Sequence, residues 1–229
     1  LSLVYGYVFH LAQAAAMIVN PFVAAPAAWE HNRAGFIDWR VFVRCLPTGI
    51  VFIIASAILS NYVPDLFLRI VFGLFLLWVF IDSLQKVLGK QVGKESREPC
   101  FGWWRYSVVG TVTGCFSGLL GIGGGLATVP LLQKLCGLSL KKAIGTSSAI
   151  MVLTTSFGAI AKNLTLHGVG ADGQVINGLT ALSIAAWLIP TGIVGALLGA
   201  QLCHVLPNRT VRVIFLVLVA IGAIKLLIP

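Results

Sequence analysis

The chain has 229 residues, of which 58% are hydrophobic and only 10% charged. A soluble domain carries about 25% charged residues, so this composition excludes a water-soluble enzyme and indicates a polytopic membrane protein. The formal charge of +9 then reports membrane topology rather than nucleic-acid binding, and no nucleic-acid partner is expected.

The hydropathy pattern predicts membrane segments at about 10–29, 37–60, 66–88, 105–135, 142–163, 174–203 and 208–228, most of them near the ~20 residues a helix needs to cross hydrocarbon. In the first, Gln13 can donate a hydrogen bond, and Asn20-Pro21 predicts a backbone break. In the second, Arg44 reads as a cation snorkelling to the interface, or else as a gate cation. In the third, Asp82 has Lys86 four residues on, an ordinary helix pair. A basic linker, 89–104, follows.

The segment 105–135 carries Gly121-Ile122-Gly123-Gly124-Gly125-Leu126-Ala127-Thr128-Val129-Pro130. Each glycine costs about 1 kcal/mol relative to alanine in a helix. Lipid offers a broken backbone no hydrogen-bond partners, so such a break must be enclosed by protein or line a cavity. Gly110, Gly114 and Gly118 follow the small-xxx-small spacing of close helix packing, as Gly121 and Gly125 do. The consecutive glycines exceed what packing needs and point to a site. Half-helices starting there direct N–H groups and a positive dipole end inward, which favours anions. Candidate binding residues are Gly121, Gly123, Gly124, Gly125 and Thr128, with Pro130 near the start of the returning half-helix. Facing them stand Gly145, Thr146 and Ser147 of the 142–163 segment, followed by Ser148; these hydroxyls could bind an oxyanion or satisfy their own helix carbonyls. The first-half counterparts are Gln13 and Asn20.

Leu46-Pro47-Thr48-Gly49-Ile50-Val51 recurs as Ile189-Pro190-Thr191-Gly192-Ile193-Val194, an offset of 143 that persists from Pro64 to Pro207, Arg69 to Arg212 and Phe72 to Phe215. Ala16-Met17-Ile18-Val19 resembles Ala149-Ile150-Met151-Val152 at an offset of 133. The chain is thus a duplicated unit, 1–88 and 105–229, and a first-copy glycine hairpin is expected upstream of Leu1. If 105–135 enters and leaves on one side, 13 basic residues share that side and only Arg69, Lys162 and Lys225 lie opposite. A single crossing splits them nearly evenly. The positive-inside rule selects the hairpin and makes loops 30–44, 86–105 and 134–142 cytoplasmic. Three crossings per copy invert the repeats, a plan that many secondary transporters use around a mid-membrane site.

The glycine segment with Ala143-Ile144-Gly145-Thr146-Ser147-Ser148 in a duplicated membrane chain resembles the TauE/SafE family of sulfite exporters. The resemblance covers essentially the whole chain. It implies an inner-membrane anion transporter for sulfite or organosulfonates, with Gly121, Gly123, Gly124, Gly125, Pro130, Gly145, Thr146 and Ser147 at the site. The expected fold is an all-α polytopic membrane protein. It is an inverted repeat of three transmembrane helices plus a glycine-broken re-entrant hairpin, the first hairpin being absent from this sequence. The expected partners are a small anionic substrate and the bilayer; a homo-oligomer stays open, and no metal, cofactor or catalytic set is expected. Two other readings remain: an assembly subunit packed through glycines, and an intramembrane hydrolase using Ser117 with His204.

Overall fold

The computed structural model describes residues 9–87, 102–165, 167–169 and 175–227. Its helices are α1 Phe9–Arg33, α2 Trp39–Leu59, α3 Asp65–Val87, α4 Trp103–Leu120, α5 Gly125–Cys136, α6 Leu140–Thr165, α7 Gly178–Val205 and α8 Asn208–Leu227. A 3-10 turn, Ser60–Tyr62, follows α2, and a short antiparallel pair, β1 His167–Val169 with β2 Val175–Asn177, precedes α7. Five helices, α1, α2, α3, α6 and α7, are long and apolar enough to cross a membrane, so the molecule is a helical polytopic membrane protein. Most of the basic linker, residues 88–101, lies outside the described residues.

The expected hairpin at 105–135 forms. Gly121, in the left-handed conformation, ends α4, and Gly124 and Gly137 bracket α5 in the same conformation. The guanidinium of Arg105, near the start of α4, donates to the carbonyl of Leu135, near the end of α5, at 3.3 Å. The two helices therefore leave and return on one side. At 1.5 Å per residue the 12 residues of α5 reach about 18 Å, roughly half the ~30 Å hydrocarbon core.

One local expectation fails. α1 runs unbroken through Pro21 and Pro26. Each proline removes one helix hydrogen bond, but Ala14, Ala15 and Met17 are completely buried, and packing against α6 and α7 holds the helix through the gap. Asp82 reaches across to Lys134 of α5 and forms an ion pair with it; the side chain of Lys86 lies outside the described residues. Arg44 stacks over the Tyr106 ring at 5.2 Å, which covers its charge from the side.

Contacts at the helix ends sort the molecule into two faces. On one, His31 meets His204 at 2.9 Å, and the Lys141 ammonium donates to the His204 carbonyl at 2.7 Å. Arg105 and Leu135 meet at the same end as Tyr106, Cys136 and Val41, which share one apolar cluster. On the other face Asn61, after α2, donates to Thr165 at the end of α6 at 2.8 Å.

Helix contacts follow the repeat. α1 packs on α7 as its counterpart α6 packs on α2, and α3 packs on its own counterpart α8. The most extensive contact joins α2 to α4 through the small-residue stripe. A methyl group on Gly110, Gly114 or Gly118 would lie 2.4 Å from the Cys45 carbonyl oxygen, 2.7 Å from that of Gly49 and 2.7 Å from that of Ile53, respectively. These three glycines serve close backbone packing, as their spacing predicts.

Candidate functional site

The break between α4 and α5 puts Gly121, Gly123 and Gly124 at φ of 71°, 73° and 78°, a region that residues with a Cβ avoid. Space forbids side chains as well. A Cβ on Gly121 would lie 2.6 Å from Gln13 Cγ, on Gly123 2.5 Å from Met151 Cε, and on Gly124 2.6 Å from Thr113 Cγ2. Asn20 is near the middle of α1 and Met151 near the middle of α6, and both approach Gly123, so the break sits at mid-depth.

Two polar side chains from the first repeat hold the break. The Gln13 amide donates to the carbonyls of Gly118 at 2.7 Å and Leu119 at 2.8 Å, and approaches Ser60 Oγ at 3.2 Å. The Asn20 amide donates to the Gly121 carbonyl at 3.0 Å. These are carbonyls that the end of α4 leaves without helical partners. Gln13 Oε1 and Ser117 Oγ, both buried beside the break, have no hydrogen-bond partner among the described residues. Thr128 braces the start of α5 internally: its hydroxyl donates to the Gly124 carbonyl at 2.8 Å and is 3.1 Å from Thr113 Oγ1.

On α6 the Gly145–Ser148 run divides between two duties. Gly145 admits the Phe36 backbone, whose carbonyl oxygen would be 2.5 Å from an added Cβ, and Thr146 Oγ1 accepts from the Asp38 N–H at 2.9 Å. Together they clamp the α1–α2 connection. Ser147 and Ser148 look the other way, into a cavity of about 380 Å³ between α3, α5, α6 and α8. Their hydroxyls donate to the Ile144 carbonyl at 2.9 and 3.0 Å, which leaves oxygen lone pairs toward the cavity and lets the rotors turn to an acceptor. Gly125, at the α5 N-terminus, Pro130, Gln133, Arg212, Ser83 and the Asp82 carboxylate complete the polar and backbone lining. Pro130 is the sixth residue of α5 rather than near its start, because the helix already begins at Gly125. Lacking an N–H, it leaves the carbonyl of Leu126, also on the cavity wall, without its helical donor.

A second opening, a groove of about 370 Å³ between α1 and α7, is lined by Ala16, Val19, Asn20, Leu188, Thr191 and Gly192. Gly123 lies where the two approach each other: its added Cβ would be 2.9 Å from Asn20 Nδ2 on the groove side and 2.5 Å from Met151 Cε on the cavity side.

Of the residues singled out from sequence, the cavity thus gathers Gly125, Pro130 and Ser147. Gly121, Gly123 and Gly124 form the break beside it, Asn20 borders the groove, Gln13 and Thr128 brace the break, and Gly145 and Thr146 pack elsewhere. Ser117 and His204 are not brought together as a hydrolase needs: His204 bonds His31 at the helix ends. Among the described residues no cluster of three or more His, Cys, Asp or Glu could hold a metal ion. Sequence reasoning missed Arg212, which it had counted only toward topology, although its repeat mate Arg69 was a signal.

A family model described as sulfite exporter TauE/SafE matches residues 1–226. The "probable membrane transporter protein MamO" of Magnetospirillum gryphiswaldense is 26% identical over 97% of this chain. "Probable membrane transporter protein YunE" of Bacillus subtilis is 27% identical over 76% of the chain and 68% of its own length. "Probable membrane transporter protein MJ0441" of Methanocaldococcus jannaschii is 24% identical over 81% of the chain and 67% of its own length. The chain spans 39% of the length of the MamO proteins it matches. No solved structure matches it.

Proposed function

The chain belongs to the sulfite exporter TauE/SafE family, and on that premise we propose that it is a secondary transporter that exports a small sulfur-containing anion, sulfite or an organosulfonate, by alternating access. One observation carries the reading: the α5 N-terminus, the Ser147 and Ser148 hydroxyls and the Arg212 guanidinium converge on one cavity of about 380 Å³. That volume is near the low end of the ~300–1,000 Å³ usual for small-ligand sites. Each element suits an oxyanion. A helix N-terminus offers N–H groups and positive potential, and a guanidinium offers paired donors to a flat or tetrahedral oxyanion.

The exchange between the faces works through the break. Asn20, Gly123 and Met151 separate the cavity from the α1–α7 groove at mid-depth. Rocking of unit 1–88 against unit 105–229 would part them and turn the site from one face to the other. The face carrying Arg33, Arg105, Lys134 and Lys141 is then cytoplasmic, in a bacterial inner membrane, by the positive-inside rule.

The test is flux of sulfite and of an organosulfonate from proteoliposomes containing the protein, with sulfate as comparison. Saturable flux of a sulfur anion that falls in an Arg212→Gln variant supports the reading. Folded, reconstituted protein that moves none of them overturns it and favours an assembly role.

A further inference from the structure

The cavity that suits an anion also carries an acid. Asp82 of α3 is buried, and among the described residues it and Arg212 of α8 are the charged members of the lining. Asp82 forms an ion pair with Lys134 of α5, whose ammonium lies over the Trp78 ring at 5.7 Å. A carboxylate on the wall of an anion site opposes binding, and neither helix nor lysine requires it there.

At the repeat offset of 143 the residue in place of Asp82 is Lys225, so the helix itself has no need of an acid at this position. Lys134 has no such need either. It lies in the last turn of α5, and its side chain is 41% exposed against 6% for Asp82. A lysine at that depth can reach water along its own stem. The buried member of the pair is the acid.

The reason lies in the charge count. Asp82 and Lys134 carry one charge of each sign and cancel. That leaves the lining, among the described residues, with the single positive charge of Arg212, aided by the partial charge of the α5 N-terminus at Gly125. A monoanion is neutralised by that set. A dianion brings a second charge that meets no cation and shares the enclosure with the Asp82 carboxylate. Little water is present to screen it, so the unmatched charge keeps much of its Coulomb cost. Shape cannot make this distinction, because hydrogensulfite and sulfite differ by one proton. A repulsive group that the wanted ligand tolerates and its competitor does not can make it.

Resting on the sulfur-anion role of this cavity, we propose that Asp82 is a specificity-determining residue. It restricts the site to singly charged sulfur oxyanions, hydrogensulfite and organosulfonates, and rejects the dianions sulfite and sulfate. Sulfite is then carried in its protonated form, and each anion takes one proton with it.

The test is calorimetric binding to the detergent-solubilised protein, with methanesulfonate as a fixed monoanion, sulfate as a fixed dianion and sulfite as an anion that changes charge near neutral pH. Methanesulfonate should bind at least about tenfold more tightly than sulfate, since like charges brought together cost that much or more. Sulfite affinity should fall as rising pH turns hydrogensulfite into the dianion, and methanesulfonate affinity over the same range should not follow it. Asp82→Asn should gain affinity for sulfate and lose the pH dependence toward sulfite, whereas Asp82→Glu, which keeps the charge, should retain both preferences. Sulfite that binds the unaltered protein equally well in its two ionisation states overturns the proposal, with no variant needed. So does an Asp82→Asn protein that melts like the parent and still rejects sulfate, a result that would assign the preference to the methyl group. Folded protein that binds none of the three anions overturns the sulfur-anion role, and the selectivity with it.

Discussion

The carboxamide of Asn20, near the middle of α1, donates to the carbonyl of Gly121 at 3.0 Å, and so ties the centre of the first repeat to the glycine break of the second. Seven residues earlier, and so on the same helix face, Gln13 does the same for Gly118 and Leu119. One helix thereby supplies donors to three carbonyls that α4 cannot satisfy by itself.

Loss of the Gln13 donor should destabilise the fold. An unsatisfied buried carbonyl costs about 1–3 kcal/mol, and two are served here. Gln13→Leu should lower the melting temperature in detergent by several degrees, because it cannot donate. A Gln13→Leu protein that melts like the parent would show that the amide is not what holds the break.

Gly123 carries two separate penalties. Its φ of +73° disfavours any Cβ, at about 1–2 kcal/mol, and Met151 Cε stands 2.5 Å from where that Cβ would be. Gly123→Ala should therefore lose stability, and adding Met151→Ala should restore part but not all of the loss. Full restoration in thermal melts would mean the conformation itself is unstrained.

Glycines of α4 and α7 should respond in opposite ways. Gly118→Ala puts a methyl 2.7 Å from the Ile53 carbonyl oxygen and 1.9 Å from Ser56 Oγ, whereas at Gly195 a methyl meets nothing within 4 Å in the described residues. With only these residues present, Gly195→Ala should be neutral or gain up to about 1 kcal/mol from helix propensity. Gly118→Ala should cost about 1–3 kcal/mol. Combining Gly118→Ala with Ser56→Ala should not cure it, since the backbone carbonyl remains. Equal melting temperatures for the Gly118→Ala and Gly195→Ala proteins would contradict the α2–α4 packing.

Substrate affinity should separate charge from hydroxyls. A hydrogen bond to a charged group is worth about 1.5–3 kcal/mol, so Arg212→Gln should weaken sulfur-anion binding roughly tenfold to a hundredfold, and Arg212→Lys less. Ser147 and Ser148 both donate to Ile144, so either single alanine substitution should be mild and the double one clearly worse. Titration calorimetry of the detergent-solubilised variants measures this; unchanged affinity in Arg212→Gln would remove the guanidinium from the site.

The membrane class, the duplication and the single-sided hairpin were legible in the chain because each is one-dimensional. Hydropathy is a local sum, a repeat is an alignment of the chain with itself, and basic residues mark the ends of segments in order. The family resemblance rested on the same contiguous motifs, Gly121–Pro130 and Ala143–Ser148. Which side of α6 each motif residue faces was not legible. Thr146 and Ser147 are adjacent in sequence, yet one holds the Asp38 N–H and the other lines the cavity, because successive helix residues point about 100° apart and only the packed neighbours say which direction is core. Likewise Pro21 looked like a break until burial of Ala14, Ala15 and Met17 against other helices outweighed one missing hydrogen bond. The sequence by itself determined that a glycine break exists, that its arms begin and end on one side, and that helices around it carry motifs recurring along the chain. Tertiary structure alone decided that Gln13 and Asn20 grip that break and that Arg212 joins Ser147 across some 65 residues of chain. Those are relations between surfaces, and a surface comes into being only when the helices have packed.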